Sequence, residues 1–180
     1  MQTKQQVRQQ GLAALQRLAQ QPANKQQQEA ILLQKLIDSA AFQSATVIGM
    51  TLNQPIEVAT QPIIEAAQAA GKRIVVPRTL PKRQMAFYEL TPTTVLERSH
   101  FDVLEPQITG EPIVPDLMIV PGVVFSLDGW RVGFGGGYYD RYLAAHHMNT
   151  VALALKPQQV KVPDWSVDQF DVKLKHIITA

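Results

Sequence analysis

The chain has 180 residues, no cysteine and a formal net charge of +2. It is long enough for one domain with a substantial core, and disulfides, thiolate metal ligands and a cysteine nucleophile are excluded. The mild positive charge permits an anionic ligand but is too small for a strong nucleic-acid signature. Residues 1–10 lack the apolar core of a signal peptide and no apolar run could span a membrane, so we expect a cytoplasmic protein without membrane partners.

The first forty residues predict two helices. Leucines and isoleucines recur at helical spacing over residues 12–18 and again over residues 31–37. We place the break at residues 21–24, where Pro22 ends the first helix and Asn24 caps the second. The many glutamines are typical of a disordered tail or of a solvated helix face, and the interleaved Ala and Leu favour the helix.

After residue 45 the pattern changes to short apolar runs that alternate with helical segments. A helix over residues 60–71 would have Thr60 as its cap and Gly71 at its end, and a further helix covers residues 138–147. Residues 91–114, with their scattered Pro and Gly, predict irregular structure. Strands are predicted at residues 46–52, 72–77, 84–90, 116–122, 150–155 and 176–180. This alternation predicts a single α/β domain, with a mainly parallel sheet flanked by helices and the two N-terminal helices added.

A glycine cluster at residues 133–137 predicts a phosphate-binding loop. Glycines let backbone N–H groups approach an anion closely, and the positive end of a helix starting near Tyr138 would add to the same spot. The spacing matches neither a Walker A loop, since no Lys-Ser/Thr follows, nor the dinucleotide fingerprint, which needs glycine at Tyr138. A flexible surface turn is the alternative. Asp140 would hold Mg²⁺ beside such a phosphate, or else be a plain surface acid.

Residues 116–143, DLMIVPGVVFSLDGWRVGFGGGYYDRYL, resemble the signature of the 5-formyltetrahydrofolate cyclo-ligase family. This block is the specific part of the likeness. Weaker likenesses follow the family's order along nearly the whole chain, at residues 4–8, 52–60, 73–77, 85–90, 103–106 and 162–179. The resemblance therefore implies the family's α/β fold and its reaction.

That reaction closes the formyl group of 5-formyltetrahydrofolate onto a neighbouring nitrogen and gives 5,10-methenyltetrahydrofolate, while ATP becomes ADP and phosphate. A formyl amide is a poor electrophile with a poor leaving group. Phosphorylation of its oxygen makes the formyl carbon more electrophilic and converts the oxygen into a phosphate, which leaves readily. Such a path needs positioning and charge neutralisation more than a protein nucleophile. The implied ligands are ATP, Mg²⁺ and a reduced folate.

The resemblance also implies which residues bind the nucleotide and the metal. Mg²⁺ would be held by Asp140 and by Asp171, which we favour over Asp168. Arg141 would stabilise the transferring group or else pair with an acid, and Tyr139 would reach the formyl region. The nucleotide phosphates would be bound by Lys4, Arg8, Arg131, Gly133, Phe134, Gly135, Gly136, Gly137 and Tyr138. Phe134 and Gly136 depart from the family, where some members carry basic residues, and Lys175 stands where an acid is often found.

On the folate side, a pterin needs a carboxylate that accepts from its N–H groups and apolar walls around its ring. Glu57 resembles the family's pterin-facing glutamate. The walls would be formed by Leu52, Met85 and Phe101, although the last two would equally suit a core. Lys72 and Arg73 are strand-edge charges for solubility, or else they meet the glutamate tail of the folate.

Three other functions compete with a cyclo-ligase. A non-catalytic nucleotide-binding regulatory module would bind ATP without turnover, and a sugar-phosphate enzyme could use a similar frame. A nucleic-acid surface leaves the glycine cluster unexplained and lacks interleaved aromatic and basic residues. Release of ADP that depends on 5-formyltetrahydrofolate separates these readings. The oligomeric state, monomer or weak dimer, is left open.

Overall fold

The computed structural model describes the whole chain, residues 1–180, as five α-helices and eleven β-strands. The helices are α1 (Lys4–Ala19), α2 (Pro22–Ile37), α3 (Ala40–Ser44), α4 (Gln61–Ala69) and α5 (Tyr138–Ala145). The strands are β1 (Val47–Gly49), β2 (Arg73–Leu80), β3 (Gln84–Glu89), β4 (Leu96–Arg98), β5 (Leu104–Pro106), β6 (Leu117–Ile119), β7 (Val124–Ser126), β8 (Arg131–Val132), β9 (Asn149–Ala154), β10 (Gln159–Val160) and β11 (His176–Thr179). None of the helices combines the length and the apolar character that crossing a membrane requires.

Both predicted N-terminal helices form, but their ends differ from the prediction. α1 begins with a capping box, in which Thr3 accepts from the backbone N–H of Gln6 and the Gln6 side chain accepts from the N–H of Thr3. Pro22 does not end α1; it is the first residue of α2, a position where no helix bond needs its missing N–H. Asn24 lies inside α2 and its side chain accepts from Gln28, so the predicted cap at Asn24 was wrong.

Six strands form the central sheet in the order β11-β9-β6-β1-β2-β3, and all are parallel except the edge strand β3. The predicted single α/β domain with a mainly parallel sheet is confirmed. From β1 the chain builds outward through β2 and β3 and then returns to the other side of β1 with β6. The carboxyl ends of β1 and β6 therefore flank a topological switch point, where open α/β sheets bind their ligands.

Alternate residues of the central strands enter two separate cores. Ile74 and Val76 belong to the larger core and Val75, between them, belongs to the smaller one. The larger core also takes side chains from α1, α2 and α4, and the smaller core takes them from α5. Burial on both faces explains why these strands appear in the sequence as continuous apolar runs.

The sequence patterns do not predict α3 or the short strands outside the central sheet. Residues 91–114, expected to be irregular, contain the β4–β5 hairpin, and β10, β7 and β8 form a second, three-stranded sheet. Strands of two or three residues are too short to show a period. The helix expected over residues 60–71 forms as α4 and is followed by Gly71 at φ +72°, but the Thr60 hydroxyl donates to Asn53 instead of capping it.

The β2–β3 hairpin reaches well beyond the sheet that carries it. β1 pairs only with Arg73, Ile74 and Val75, whereas β2 continues to Leu80 and pairs with β3 along most of its length. The last five of the eight residues of β2 therefore project past β1, which is about 16 Å of extended chain. This projection forms one wall of the cavity described next.

Candidate active site

A cavity of about 1000 Å³ lies at the carboxyl edge of the sheet, beside the switch point. Its walls come from the start of α1, the β2–β3 hairpin, the loop between β8 and α5, and residues 168–172. Among the predicted site residues, sixteen side chains or glycines line it: Lys4, Arg8, Glu57, Met85, Phe101, Arg131, Gly133, Phe134, Gly135, Gly136, Gly137, Tyr138, Tyr139, Asp140, Arg141 and Asp171. The residues predicted from the sequence therefore come from both ends of the chain, and folding brings them together around one cavity.

Leu52 is the predicted site residue that does not line the cavity. It is half-buried and packs against the larger core, while its neighbour Thr51 lines the cavity wall. The pterin contact assigned to Leu52 stays a prediction that this placement does not support.

The glycine loop connects β8 to α5 and leaves its backbone donors free. Gly135 and Gly137 have φ of +106° and +69°, which L-residues with side chains rarely adopt, and Gly137 is the residue before the first turn of α5. None of the backbone N–H groups of residues 133–138 donates to another protein atom. Free N–H groups in such a loop, at the positive end of a helix, form an anion site.

Arg8 and Lys4 reach the cavity from one face of α1, one turn apart. Arg8 Nε donates to the carbonyl of Gly133 at 2.7 Å and so packs against the glycine loop. Lys4 Nζ lies 2.6 Å from a carboxylate oxygen of both Asp168 and Asp171. Burial lowers the pKa of Lys4, but hydrogen bonds and charge from the two carboxylates outweigh it and raise that pKa above its ordinary 10.5. Lys4 is therefore fully charged and ties α1 to the C-terminal segment.

Asp140 lies in the first turn of α5 and is held from two sides. Its Oδ2 is 3.0 Å from Nη2 of Arg131, and its Oδ1 accepts from the backbone N–H of Val172 at 3.2 Å. The Arg131 side chain is only 6% exposed, and neither its Nε nor its Nη2 makes a well-directed hydrogen bond. The contact is therefore an ion pair that neutralises a buried guanidinium, and Arg131 keeps donors to spare for an anion in the cavity.

The two predicted metal ligands lie on the same wall. The bond from Val172 to Asp140 places Asp140 beside the residue that follows Asp171. No three His, Asp or Glu side chains come together as a metal cluster. Mg²⁺ that accompanies a nucleotide usually takes only one or two carboxylates, with phosphates and water completing its shell. The donor set therefore fits a nucleotide-bound Mg²⁺ and not a site made by protein alone.

Glu57 and Tyr139 line the cavity near each other, and Tyr139 lies beside Thr51, which follows the end of β1. One carboxylate oxygen of Glu57 accepts from the backbone N–H of Gln54 at 2.7 Å, which leaves the other oxygen open. Burial raises the pKa of Glu57 above its ordinary 4.5. The Tyr139 hydroxyl is hydrogen-bonded to Thr51, and burial raises the pKa of Tyr139 far above its ordinary 10.0. The pair thus offers one acceptor and one hydroxyl that stays protonated.

The predicted apolar walls differ in character. Met85 is buried, belongs to the smaller core and also lines the cavity. Phe101 is 44% exposed, and its ring meets the Tyr138 ring edge-on with centroids 5.7 Å apart. Met85 is thus a core residue with one face on the cavity, whereas Phe101 belongs to the rim.

Several residues that line the cavity were not selected from sequence. Thr51 lies two residues after the end of β1, so the rule that sites form at the carboxyl ends of parallel strands could have identified it. Asp168 shares Lys4 with Asp171. Thr79, Arg83, Glu105 and Phe170 carry no local signal, because they reach the cavity only through the long hairpin, the unpredicted β4–β5 pair and the C-terminal segment.

Comparison with known proteins gives one consistent family. The family model described as "5-formyltetrahydrofolate cyclo-ligase family" matches residues 1–180. The chain is similar to 5-formyltetrahydrofolate cyclo-ligases of Escherichia coli K12 (30% identical over 142 residues, 75% of this chain and 78% of that protein) and of Mus musculus (31% over 167 residues, 84% and 81%).

Solved structures agree in fold. The NMR structure of the 5,10-methenyltetrahydrofolate synthetase of Aquifex aeolicus matches with a TM-score of 0.79 at 23% identity, covering 98% of this chain and 89% of that one. The Mycoplasma pneumoniae 5,10-methenyltetrahydrofolate synthetase matches with a TM-score of 0.69 at 22% identity, covering 94% and 98%.

Proposed function

The chain belongs to the 5-formyltetrahydrofolate cyclo-ligase family, and on that premise we propose that its cavity activates 5-formyltetrahydrofolate by phosphorylating the formyl oxygen with ATP. The family's activity is the ATP-dependent cyclisation to 5,10-methenyltetrahydrofolate. One observation carries the proposal: a single cavity joins the free backbone N–H groups of residues 133–138 to the open carboxylate of Glu57. The first group of atoms suits phosphates and the second suits the N–H groups of a pterin.

The chemistry balances without a covalent bond to the protein. The formyl oxygen attacks the γ-phosphorus, and ADP departs with the electrons of the broken P–O bond. The N10 nitrogen of the folate then attacks the formyl carbon and loses its proton, and phosphate leaves with the former formyl oxygen. Because both steps join bound partners, the protein has to hold them in line and neutralise charge.

The charge of the lining explains how the nucleotide would be received. Five basic and five acidic side chains balance one another there, namely Lys4, Arg8, Arg83, Arg131 and Arg141 against Glu57, Glu105, Asp140, Asp168 and Asp171. A triphosphate adds several negative charges to this balanced surface. Lys4 can neutralise part of this charge by turning from Asp168 and Asp171 to the phosphates. Arg8 already lies against the glycine loop. When Lys4 turns to the phosphates, Asp171 becomes free to bind a cation.

Asp140 and Asp171 would hold Mg²⁺ at that point. When bound with ATP, the ion would neutralise the β- and γ-phosphates and polarise the phosphorus that is attacked. Arg131, whose Nη2 lies 3.0 Å from Asp140 Oδ2, keeps the acid oriented for this role.

Arg141 and Tyr139 flank the reacting groups. Arg141 makes no ion pair with an acid; its guanidinium donates to the carbonyl of Gly137 at 3.2 Å, at the end of the glycine loop. That position supports the role of neutralising the transferring phosphoryl group and disfavours mere pairing with an acid. Tyr139, which stays protonated, would act as a hydrogen-bond donor to the formyl region rather than as a base.

Incubation of the protein with ATP, Mg²⁺ and 5-formyltetrahydrofolate tests the function. We expect methenyl absorbance to rise in step with ADP, one for one, and neither product to form when any component is left out. A regulatory module would bind ATP with no ADP, and a sugar-phosphate enzyme would ignore the folate. Either of those results would reject the proposal.

Glu57→Gln is expected to raise the Kd for the folate about tenfold and leave ATP affinity unchanged, since one charge-assisted bond to the pterin is lost. Wild-type folate affinity should fall as the pH decreases through the raised pKa of Glu57, and the variant should lack this dependence. Calorimetric titration of folate at several pH values measures both effects. Identical pH profiles for the two proteins would remove Glu57 from pterin binding.

The same pKa shift sets a stability control for Glu57. Burial raises the pKa of Glu57 in the folded state above its ordinary 4.5. The protonated side chain therefore favours folding at pH values below 4.5, and this contribution is lost as the pH rises through the folded-state pKa. At neutral pH the ionised side chain therefore disfavours the folded state. Glu57→Gln should be at least as stable as wild type at pH 7 in urea unfolding, so a loss of folate affinity cannot be attributed to misfolding.

Asp171→Asn is expected to lower turnover by tenfold or more and to raise the Mg²⁺ concentration needed for half-maximal rate. The reason is that the variant lacks the charged carboxylate that would bind the metal. Asp168→Asn is the matched control, since each variant leaves Lys4 with one carboxylate partner and the Asp168 side chain is 54% exposed. Rates measured across a Mg²⁺ series separate the two variants. Equal losses in both would mean that the two acids serve only to hold Lys4.

A further inference from the structure

The loop that carries Glu57, residues 53–60, is closed at its base by its two end residues. The backbone N–H of Thr60 donates to Oδ1 of Asn53 at 3.0 Å, and the N–H of Asn53 donates to the Thr60 hydroxyl at 3.3 Å. Inside the loop, the N–H of Gln54 donates to the Glu57 carboxylate at 2.7 Å, and the N–H of Glu57 donates to the carbonyl of Gln54 at 3.0 Å. The carboxylate is therefore fixed relative to its own loop.

Two hydrogen bonds join this loop to other parts of the chain. The Gln54 side chain donates to the carbonyl of Phe101 at 3.0 Å, on the exposed rim of the cavity. From behind the loop, Oε1 of Glu29 in α2 accepts from the backbone N–H of Ala59 at 2.8 Å. The Glu29 side chain is only 15% exposed, and a bond to a carboxylate is stronger than one between neutral groups. Glu29 is thus the stronger polar anchor of the loop, and it acts two residues from Glu57.

Lys25 completes this arrangement from one turn earlier on α2. Its Nζ donates to the same oxygen of Glu29, and its side chain is 12% exposed. A lysine this far out of water is normally paired. Its charge also acts on Glu57: burial raises the pKa of Glu57, and the positive charge of Lys25 opposes that shift. Neither Lys25 nor Glu29 lines the cavity, so both lie behind the group that faces it.

We propose that Lys25 and Glu29 are positioning residues for folate binding: Glu29 fixes where the Glu57 carboxylate lies, and Lys25 places a positive charge behind it. This inference rests on the proposed function, in which Glu57 accepts from the pterin. A binding group is most effective when its supporting residues hold it in place before the ligand arrives. Because neither residue reaches the cavity, both act through Glu57.

Glu29→Ala is expected to raise the Kd for 5-formyltetrahydrofolate roughly three- to tenfold, because the loop loses its anchor. ATP affinity and kcat should change little, since the glycine loop is untouched. Glu29→Gln should recover part of the loss, because its amide oxygen still accepts from Ala59. Calorimetric titrations with folate and with ATP measure the affinities. The control is Glu65→Ala in α4, where the carboxylate accepts from Gln61 at the same spacing as in the Lys25–Glu29 pair and does not touch the loop.

A double variant tests whether Glu29 acts through Glu57. Residues that work through one group are not additive, so Glu29→Ala combined with Glu57→Gln should bind the folate no more weakly than Glu57→Gln alone. A general weakening of the fold would instead add its own loss to that of Glu57→Gln. The cycle therefore separates positioning from stability.

Lys25→Met is expected to raise the pH at which folate affinity falls, because the positive charge no longer opposes the effect of burial on the pKa of Glu57. At pH values well above that midpoint, variant and wild type should bind about equally. The other titratable group that interacts with Glu57 is the Tyr139 hydroxyl, which stays protonated. Titrations at several pH values measure the midpoint. Lys35→Met, which removes a lysine of α2 that bonds to Thr179, should leave the midpoint unchanged.

The outcomes distinguish this inference from the function on which it rests. Additive losses in the double variant, unchanged folate affinity in Glu29→Ala, or an equal loss of ATP affinity would overturn the role of Glu29. An unmoved midpoint in Lys25→Met would overturn the role of Lys25. Each of these results leaves cyclo-ligase activity standing. If Glu57→Gln itself binds the folate as wild type does, the contact of Glu57 with the pterin is rejected and both roles fall with it.

Discussion

Replacing Gly135 by valine is expected to weaken ATP binding by about a hundredfold. Gly135 has a φ of +106°, and a Cβ placed there would lie 3.4 Å from the guanidinium carbon of Arg8. A branched side chain would therefore strain the loop and displace Arg8, and its methyl groups would cover the neighbouring N–H donors. Loss of two charge-assisted bonds, about 1.5 kcal/mol each, corresponds to that factor.

Gly110→Val is the matched control for this experiment. Gly110 also has a positive φ, +81°, but no atom lies within 4 Å of its Cβ position and it does not line the cavity. Calorimetric titration with ATP should give wild-type affinity for Gly110→Val and little heat for Gly135→Val. Unchanged affinity in Gly135→Val would mean that the loop amides do not bind the phosphates.

Asp140→Asn is expected to reduce turnover by a hundredfold or more, because the variant loses the charge that the metal and the phosphoryl transfer require. It is also expected to lower the free energy of unfolding by about 1–3 kcal/mol. Asparagine can still accept from Val172, but it leaves the buried guanidinium of Arg131 without a counter-charge.

Measurement of both quantities separates chemistry from stability. Turnover is followed by methenyl absorbance well below the melting transition, and stability by urea unfolding. Asp128→Asn is the control, since Asp128 is an exposed acid in the β7–β8 turn with no ion pair. Wild-type turnover in Asp140→Asn would exclude Asp140 from the mechanism, and unaltered stability would mean that Arg131 finds another partner.

The sequence patterns succeeded where the physical signal is local. The buried strands of the parallel sheet are continuous apolar runs, and the glycine loop combines close spacing with a following helix. Each of these features is specified by neighbours along the chain. The two cap predictions failed for different reasons. α2 starts at Pro22, so Asn24 lies inside the helix, whereas Thr60 is at the cap position of α4 but its hydroxyl bonds to Asn53.

The partners of the charged residues could not be read from sequence. Lys4 contacts Asp171 across 167 positions, and Arg8 contacts Gly133 across 125. Such contacts depend on how α1 packs against the second sheet and on where the C-terminal segment returns. The placement of Leu52 against the core, and of Thr51 in the cavity, likewise follows from the exact end of β1.

By itself the sequence determined the chemistry: which residue types are present, their spacing in the glycine block and the family to which they belong. Only the tertiary structure decided which charges are already neutralised inside the protein and which, like that of Glu57, stay open to the cavity. The reason is that spacing along the chain sets what a segment can bind, whereas the pairing of charges is set by segments far apart in sequence that packing brings together.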